Sequence, residues 1–329
     1  MNDKVITRRD FFKIVGSSSL LLTLPMNRGC LVLQATKVSL VKNPDDSYAI
    51  KRAVELAGGF DFLNPGDSVL LKVALNFADP FPATTSPVVV SELIELLKDN
   101  GAGDIFVGDR SPSWLDTMYC MQESGIYQAA IDAGAEVVEF ADEDMVSVKP
   151  EFAIHWPDGF TMPELFNRVD HIISLPTLRA HRLAGFTMGL KNFVGVIHPD
   201  DRLNVLHASS APDFLKMLAE IPLCTDKIRF SLLDAREGWS KIIGYEGGTL
   251  ITPAPGIIIA SNSLVAADVV GVALLKCYDT TTDLLETSVW DHTVIKRSVE
   301  LFCPYLSYET IQLEHDGVDK IDEIRKNML

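Results

Sequence analysis

The chain has 329 residues, 47% hydrophobic and 22% charged, with a formal net charge of −16. This is ordinary globular composition, and a chain of this length can bury a large core without staples. Strong acidity repels nucleic-acid phosphates and anionic lipid heads, which excludes a nucleic-acid role, and its plain effect is solubility.

The first segment reads Thr7-Arg8-Arg9-Asp10-Phe11-Phe12-Lys13, followed by an apolar stretch from Ile14 to Leu24. Paired arginines ahead of a short apolar run form a targeting signature. The run has 11 residues, against the roughly 20 of a spanning helix, so no stable transmembrane span is expected. Residues 1–35 are read as a twin-arginine signal segment. The expected partner during export is the twin-arginine translocase, and the expected destination is the periplasm or another extracytoplasmic space. Leu33-Gln34-Ala35 is a weak match to a small-x-small cleavage site, and Asn27-Arg28-Gly29 ahead of Cys30 is a poor lipobox. Removing the segment takes away more cations than acids and leaves a more acidic body.

Beyond the leader, residues 36–329 read as a single α/β domain. Short Val/Ile/Leu-rich runs alternate with helical periodicity. Strands are expected at Thr36–Val41, Ser68–Val73, Asp104–Val107, Glu136–Phe140, His171–Leu175, Arg229–Leu233 and Gly256–Ala260. Helices are expected at Ser47–Leu56, Pro87–Lys98, Gln122–Ala133, Pro212–Ala219, Leu264–Lys276 and Asp291–Leu301. Ser86 before Pro87 fits a helix entry, and Gly101 fits the stop. The alternation predicts a mostly parallel sheet with helices on both faces, of the open doubly wound type. The helix Leu264–Lys276 is almost wholly apolar, so Asp268 within it needs a partner or a place at the helix start.

Open sheets of this class bind ligands beyond the carboxyl ends of their strands. Those ends bring up Asn76, Asp109 with Arg110 and Ser111, Pro176 to His181, Asp234 with Arg236, and Ser261 with Asn262. The segment Arg179–His207 stands out among them. It holds Arg179, His181, Arg182, Lys191, His198, Arg202 and His207 against only Asp200 and Asp201, a reversal of sign within an acidic chain. Gly185, Gly189 and Gly195 are spaced through it. Glycine lets backbone amides approach a ligand, and arginine forks match carboxylate or phosphate oxygens. The segment reads as an anion site, and the competing reading is a solvated basic loop. The five cysteines are dispersed, with no C-x-x-C pair, so no zinc-knuckle or iron–sulfur motif is present.

Ser174-Leu175-Pro176-Thr177-Leu178-Arg179-Ala180-His181 and Gly185-Phe186-Thr187-Met188-Gly189-Leu190-Lys191-Asn192-Phe193-Val194-Gly195 closely resemble the central signature of the domain of unknown function 362 family. Arg202 followed by His207 fits as well. Weaker support comes from Leu70-Leu71-Lys72, Thr84-Thr85-Ser86-Pro87, Gly108-Asp109, Leu232-Leu233-Asp234-Ala235 and Val265-Ala266-Ala267-Asp268. The resemblance covers roughly residues 36–275. The family's usual Lys-Pro-Asn is here Lys72-Val73-Ala74-Leu75-Asn76, so Asn76 is not carried over as a site residue. Arg179 stands where a lysine is common. The ferredoxin-like cysteine cluster of many relatives is missing, so an iron–sulfur role is not carried over. The resemblance locates residues and supplies no reaction.

Two functions lead, with a purely structural partner of another exported protein as a third reading. One is an enzyme acting on a small anionic molecule: Arg179, Arg202 and Lys191 hold the anion, with Asn192, Thr187 and Asp109 as further ligand contacts. His181, Lys191 or His207 then serves in proton transfer, and Asp234 and Asp268 are possible metal ligands. The other is a solute- or metal-binding or maturation factor that uses the same pocket without chemistry. The identity of any cofactor is left open.

Overall fold

The apolar runs pair into one large sheet whose central strands are buried on both faces. The computed structural model describes residues 35–242 and 247–329. The signal segment read at residues 1–35, apart from Ala35, and Cys30 with it, lie outside the described residues. Among the described residues, no helix is long and apolar enough to cross a membrane.

The strands are β1 (Thr36–Lys42), β2 (Val69–Val73), β3 (Ile105–Asp109), β4 (Glu136–Glu139), β5 (Met145–Val148), β6 (Phe160–Pro163), β7 (His171–Leu175), β8 (Thr177–His181), β9 (Gly185–Thr187), β10 (Ile228–Ile242), β11 (Gly248–Leu250), β12 (Ile257–Ser261) and β13 (Ile311–Asp316). The main sheet runs β13-β1-β12-β10-β7-β2-β3-β4, and β5 and β6 form a separate hairpin. Only β12 runs antiparallel to its neighbours along that path. The mostly parallel α/β sheet expected from the alternation is therefore present.

Alternate residues of each strand feed opposite layers, as the period-2 geometry of strands demands. Leu70, Ile172, Leu233 and Ile259 join one core with the helix Leu264–Leu275. Leu71, Ile173, Leu232 and Ile258 join the other, with the helices Asp46–Leu56 and Pro87–Asp99. From β2 the chain moves outward through β3 to β4, whereas the later β7 and β10 add on the opposite side of β2. The strand order thus reverses beside β2, where a crevice opens beyond the carboxyl ends.

Four local expectations change. The helix expected over Gln122–Ala133 is two helices, Thr117–Glu123 and Ile126–Asp132, because Gly125 at φ 82° breaks the ladder. Ser86 precedes the helix Pro87–Asp99 but makes no side-chain cap bond. The strand expected at Arg229–Leu233 extends over 15 residues, with register shifts against β7, β8 and β11 that carry it past the core. The segment after Pro176 is not a loop: β8 pairs with the outer part of β10, and β9 folds back on β8.

Away from the crevice, buried Glu220 ends the helix Ala211–Glu220. It accepts from Arg297 Nε at 3.0 Å and Nη2 at 2.8 Å and from the His155 amide at 2.9 Å. Removing one partner of a buried ion pair strands the other. Glu220→Ala should therefore lower unfolding stability by about 3 kcal/mol, read as a shift of the urea midpoint at unchanged slope.

Candidate functional site

A buried ion pair forms the floor of the crevice. Lys72 interrupts the apolar strand β2 and is fully buried. Its Nζ lies 2.7 Å from Asp109 Oδ1 at the end of β3. It also donates to the Val73 carbonyl at 2.7 Å and to Asn192 Oδ1 at 3.1 Å. Asp109 accepts in addition from the Leu75 and Arg110 amides at 2.8 and 2.7 Å. Burial pushes the Lys72 ammonium pKa down and the Asp109 carboxyl up, and each partner's charge opposes the shift of the other. Three acceptors on the ammonium and two amides on the carboxylate support the charged pair.

The turn above this floor is anchored from below by Asp268. Its two carboxylate oxygens accept from the Gly189 and Leu190 amides, each at 2.8 Å. Burial raises the Asp268 pKa to about 7, against the pull of those two hydrogen bonds. The anchored turn Gly189–Asn192 presents Lys191 and Asn192. Asn192 donates to the Lys72 carbonyl at 2.9 Å and to Ser174 Oγ at 3.1 Å. Further along, a Cβ on Gly195 would overlap Asp109 Oδ1, so only glycine lets this stretch rest on the carboxylate.

The hairpin β8–β9 supplies one wall. Arg179 is paired across it with Thr187, and on its other side with Trp239 of β10. Buried Arg179 donates to the Ala83 carbonyl at 2.7 Å, and its guanidinium lies 5.5 Å from the Trp239 ring centre. With its amide oxygen turned inward, Asn76 accepts from Arg179 Nη1 at 3.3 Å and Nη2 at 2.8 Å. Asn76 therefore belongs to the site, contrary to the sequence expectation; the displaced asparagine still reaches it.

Two connected cavities occupy the crevice. The inner one, about 20 Å³, is lined by Asp109, Arg110, Thr177, Asn192 and Gly195 among others. The outer one, about 180 Å³, is lined by Phe77, Trp114, His181, Arg182, Leu183, His207 and Trp239 among others. Asn76, Arg179, Thr187, Lys191 and Arg202 line both. Burial, then Arg202 and Arg179, bring the Lys191 pKa down to about 7. Burial alone brings Arg179 down to about 10, which leaves it charged at neutral pH. Burial also lowers Arg202, and Asp109 opposes that shift.

His181 is held to about 2 by burial and by the surrounding cations, so its imidazole is neutral. Its Nδ1 accepts from the Leu183 and Ala184 amides at 3.2 and 3.0 Å, which places its proton on Nε2. His207 is likewise lowered, by burial and then by Arg202 and Lys191.

The structure thus brings together Arg179, His181, Thr187, Lys191, Asn192, Arg202, His207 and Asp109. Asp234 lies elsewhere, gripped by Arg236 Nε at 3.0 Å and Nη2 at 2.7 Å, and Asp268 sits beneath the turn. Neither lines the two cavities. Among the described residues, no group of three or more His, Cys, Asp or Glu side chains could hold a metal ion. Lys72, Trp114 and Trp239 are additions to the sequence-derived candidates. A charge inside an apolar strand could have flagged Lys72, whereas Trp239 lies on the part of β10 that periodicity does not reveal.

Gly195→Ala should push the turn off Asp109 and weaken the Lys72–Asp109 pair. The expected cost is about 1–3 kcal/mol in denaturant unfolding.

The comparisons with known proteins agree with the signature stretch. The profile described as domain of unknown function (DUF362) matches residues 69–273. A thylakoid-associated protein of Synechocystis sp. (strain ATCC 27184 / PCC 6803 / Kazusa) is 27% identical over 237 residues, 69% of each chain. Among solved structures, the lactate racemase apoprotein from Thermoanaerobacterium thermosaccharolyticum matches with a TM-score of 0.38 at 16% identity, covering 64% of this chain and 52% of that one. A structural-genomics target from Thermotoga maritima matches with a TM-score of 0.37 at 13% identity, covering 62% and 51%. The chain spans about half the length of these solved structures. Because the profile matches more than half of the sequence, the chain belongs to the DUF362 family, a domain of unknown function.

Proposed function

We propose that the crevice binds a small organic anion and that the protein acts on it as an enzyme, with Lys191 as the group that moves a proton. One observation carries this reading. Arg179, Lys191 and Arg202 line both cavities, and none of them forms an ion pair with a carboxylate of the described residues. In a chain with 45 acidic residues against 29 Lys and Arg, partners are abundant elsewhere. Three cations desolvated by burial and without such a partner favour an anion from outside. Lys191 near 7 has both protonation states available at neutral pH, the condition that suits acid–base catalysis. His181 offers a neutral N–H donor beside it.

The place of action is outside the cytoplasm. The Arg8-Arg9 pair ahead of the apolar run supports twin-arginine export to the periplasm. Arg8→Lys with Arg9→Lys should leave the full-length protein in the cytoplasmic fraction of its host. Unchanged delivery to the periplasm would exclude this route.

Anion affinity should depend on pH with a definite sign. Lys191 is an ammonium below about 7 and a neutral amine above it. Calorimetric titration with acetate should therefore show affinity falling as pH rises through that value. Lys191→Met should weaken acetate binding about tenfold below the transition and remove the inflection. A pH-independent affinity in the parent protein would speak against Lys191 as the anion's partner.

A further inference from the structure

We infer that the ligand is an organic carboxylate with an aromatic or bulky apolar body, its carboxylate seated in the inner cavity and its body in the outer one. This rests on the anion-binding reading above and narrows it to a substrate class.

Several donors of residues that line the inner cavity lack partners, and the Asp109 carboxylate that lines it is already held by Lys72. Arg110 Nε and Nη1, Arg179 Nε and Thr177 Oγ1 are buried there without a hydrogen-bond partner. Buried donors left unmade are costly, and a guest carrying oxygen atoms removes that cost. Its volume of about 20 Å³ suits a guest little larger than one water. A planar carboxylate entering from the outer cavity can place its oxygens there. A phosphate brings four oxygens around a tetrahedral centre and needs more room on every side.

The outer cavity has the opposite character. Phe77, Trp114, Leu183 and Trp239 give it apolar walls. Trp114 and Leu183 are 62% and 57% exposed, although large apolar side chains at a mouth are better covered by a guest. Arg179 touches both spaces, stacked on Trp239 on one side and facing the inner cavity on the other. A single molecule with an anionic head and a flat apolar body meets both demands at once. Among the described residues, no acidic side chain lines the outer cavity, so a body carrying an ammonium, as in a zwitterionic amino acid, finds no counter-charge from them.

The test compares four probes by calorimetry on the full chain at about pH 6.5, below the Lys191 transition: 3-phenylpropionate, acetate, phenylalanine and inorganic phosphate. The expected result is 3-phenylpropionate binding at least about tenfold tighter than acetate, phenylalanine weaker than 3-phenylpropionate, and phosphate failing to compete. Trp114→Ala, at an exposed position, should lower 3-phenylpropionate affinity far more than acetate affinity and so remove most of the phenyl advantage. Equal affinities for acetate and 3-phenylpropionate would overturn the two-part ligand while leaving the anion site standing. Phosphate binding more tightly than acetate would overturn the carboxylate assignment. Failure of all four probes to bind would overturn the anion reading itself.

Discussion

The crevice depends on one interaction, the ion pair between Lys72 and Asp109. Burying two charges is expensive, and the attraction between them offsets that cost only when the remaining lone pairs and protons are also satisfied. Here they are, and the groups that satisfy them come from separate parts of the chain. The Leu75 and Arg110 amides follow two adjacent parallel strands, and Asn192 arrives from the turn after β9. Gly195 packs against the carboxylate from the same side. The pair therefore ties the ends of β2 and β3 to the turn that presents Lys191. A hydrophobic pair could fill the same space but could not fix where each of those backbone groups sits.

Above the pair the electrostatics change sign. Lys72 is the close partner of Asp109, which offsets Arg202 only in part, so Arg179, Lys191 and Arg202 leave the cleft with excess positive charge. The protein as a whole is strongly negative, so its distant field opposes the approach of an anion. At physiological ionic strength that field is screened over about 8 Å, whereas charges inside a desolvated cleft are screened much less. On the proposed reading, attraction of an anion is therefore a short-range property of the cleft. Selection falls to its shape and hydrogen-bond donors rather than to steering by net charge.

The layered sheet was legible because parallel strands buried on both faces read as near-continuous apolar runs, and β2, β7 and β12 do so. The site was legible because cations and glycines concentrate in Arg179–His207. What escaped did so for physical reasons. β8 and β9 are short, and they alternate cleft-lining Arg179, His181 and Thr187 with Leu178, Ala180 and Phe186 of the core; runs of five and three residues are too brief for that period to stand out in sequence. The outer half of β10 is set by its partners β8 and β11, a non-local constraint that no window of sequence contains. Asn76 seemed displaced by sequence spacing, yet two extra residues after Lys72 still bring its amide to Arg179. Asp268 shows the limit of a residue list: its polar role was foreseeable from its place in an apolar helix, but its partners, the Gly189 and Leu190 amides, are remote in sequence.

That anchoring bears on how Lys191 can work. A lysine whose pKa is lowered by burial and by neighbouring cations is under strain that flexibility would relieve, since the side chain could swing out to water. The Asp268 carboxylate beneath the turn and Asn192 locked to Lys72 and Ser174 oppose that escape. An anion seated beside Lys191 adds a favourable charge and raises its pKa again. By linkage, arrival of the anion then draws a proton onto Lys191, and its departure releases one. On the proposed reading, ligand binding and proton uptake are coupled at this side chain, so the share of Lys191 that is an acid rises when the ligand is present.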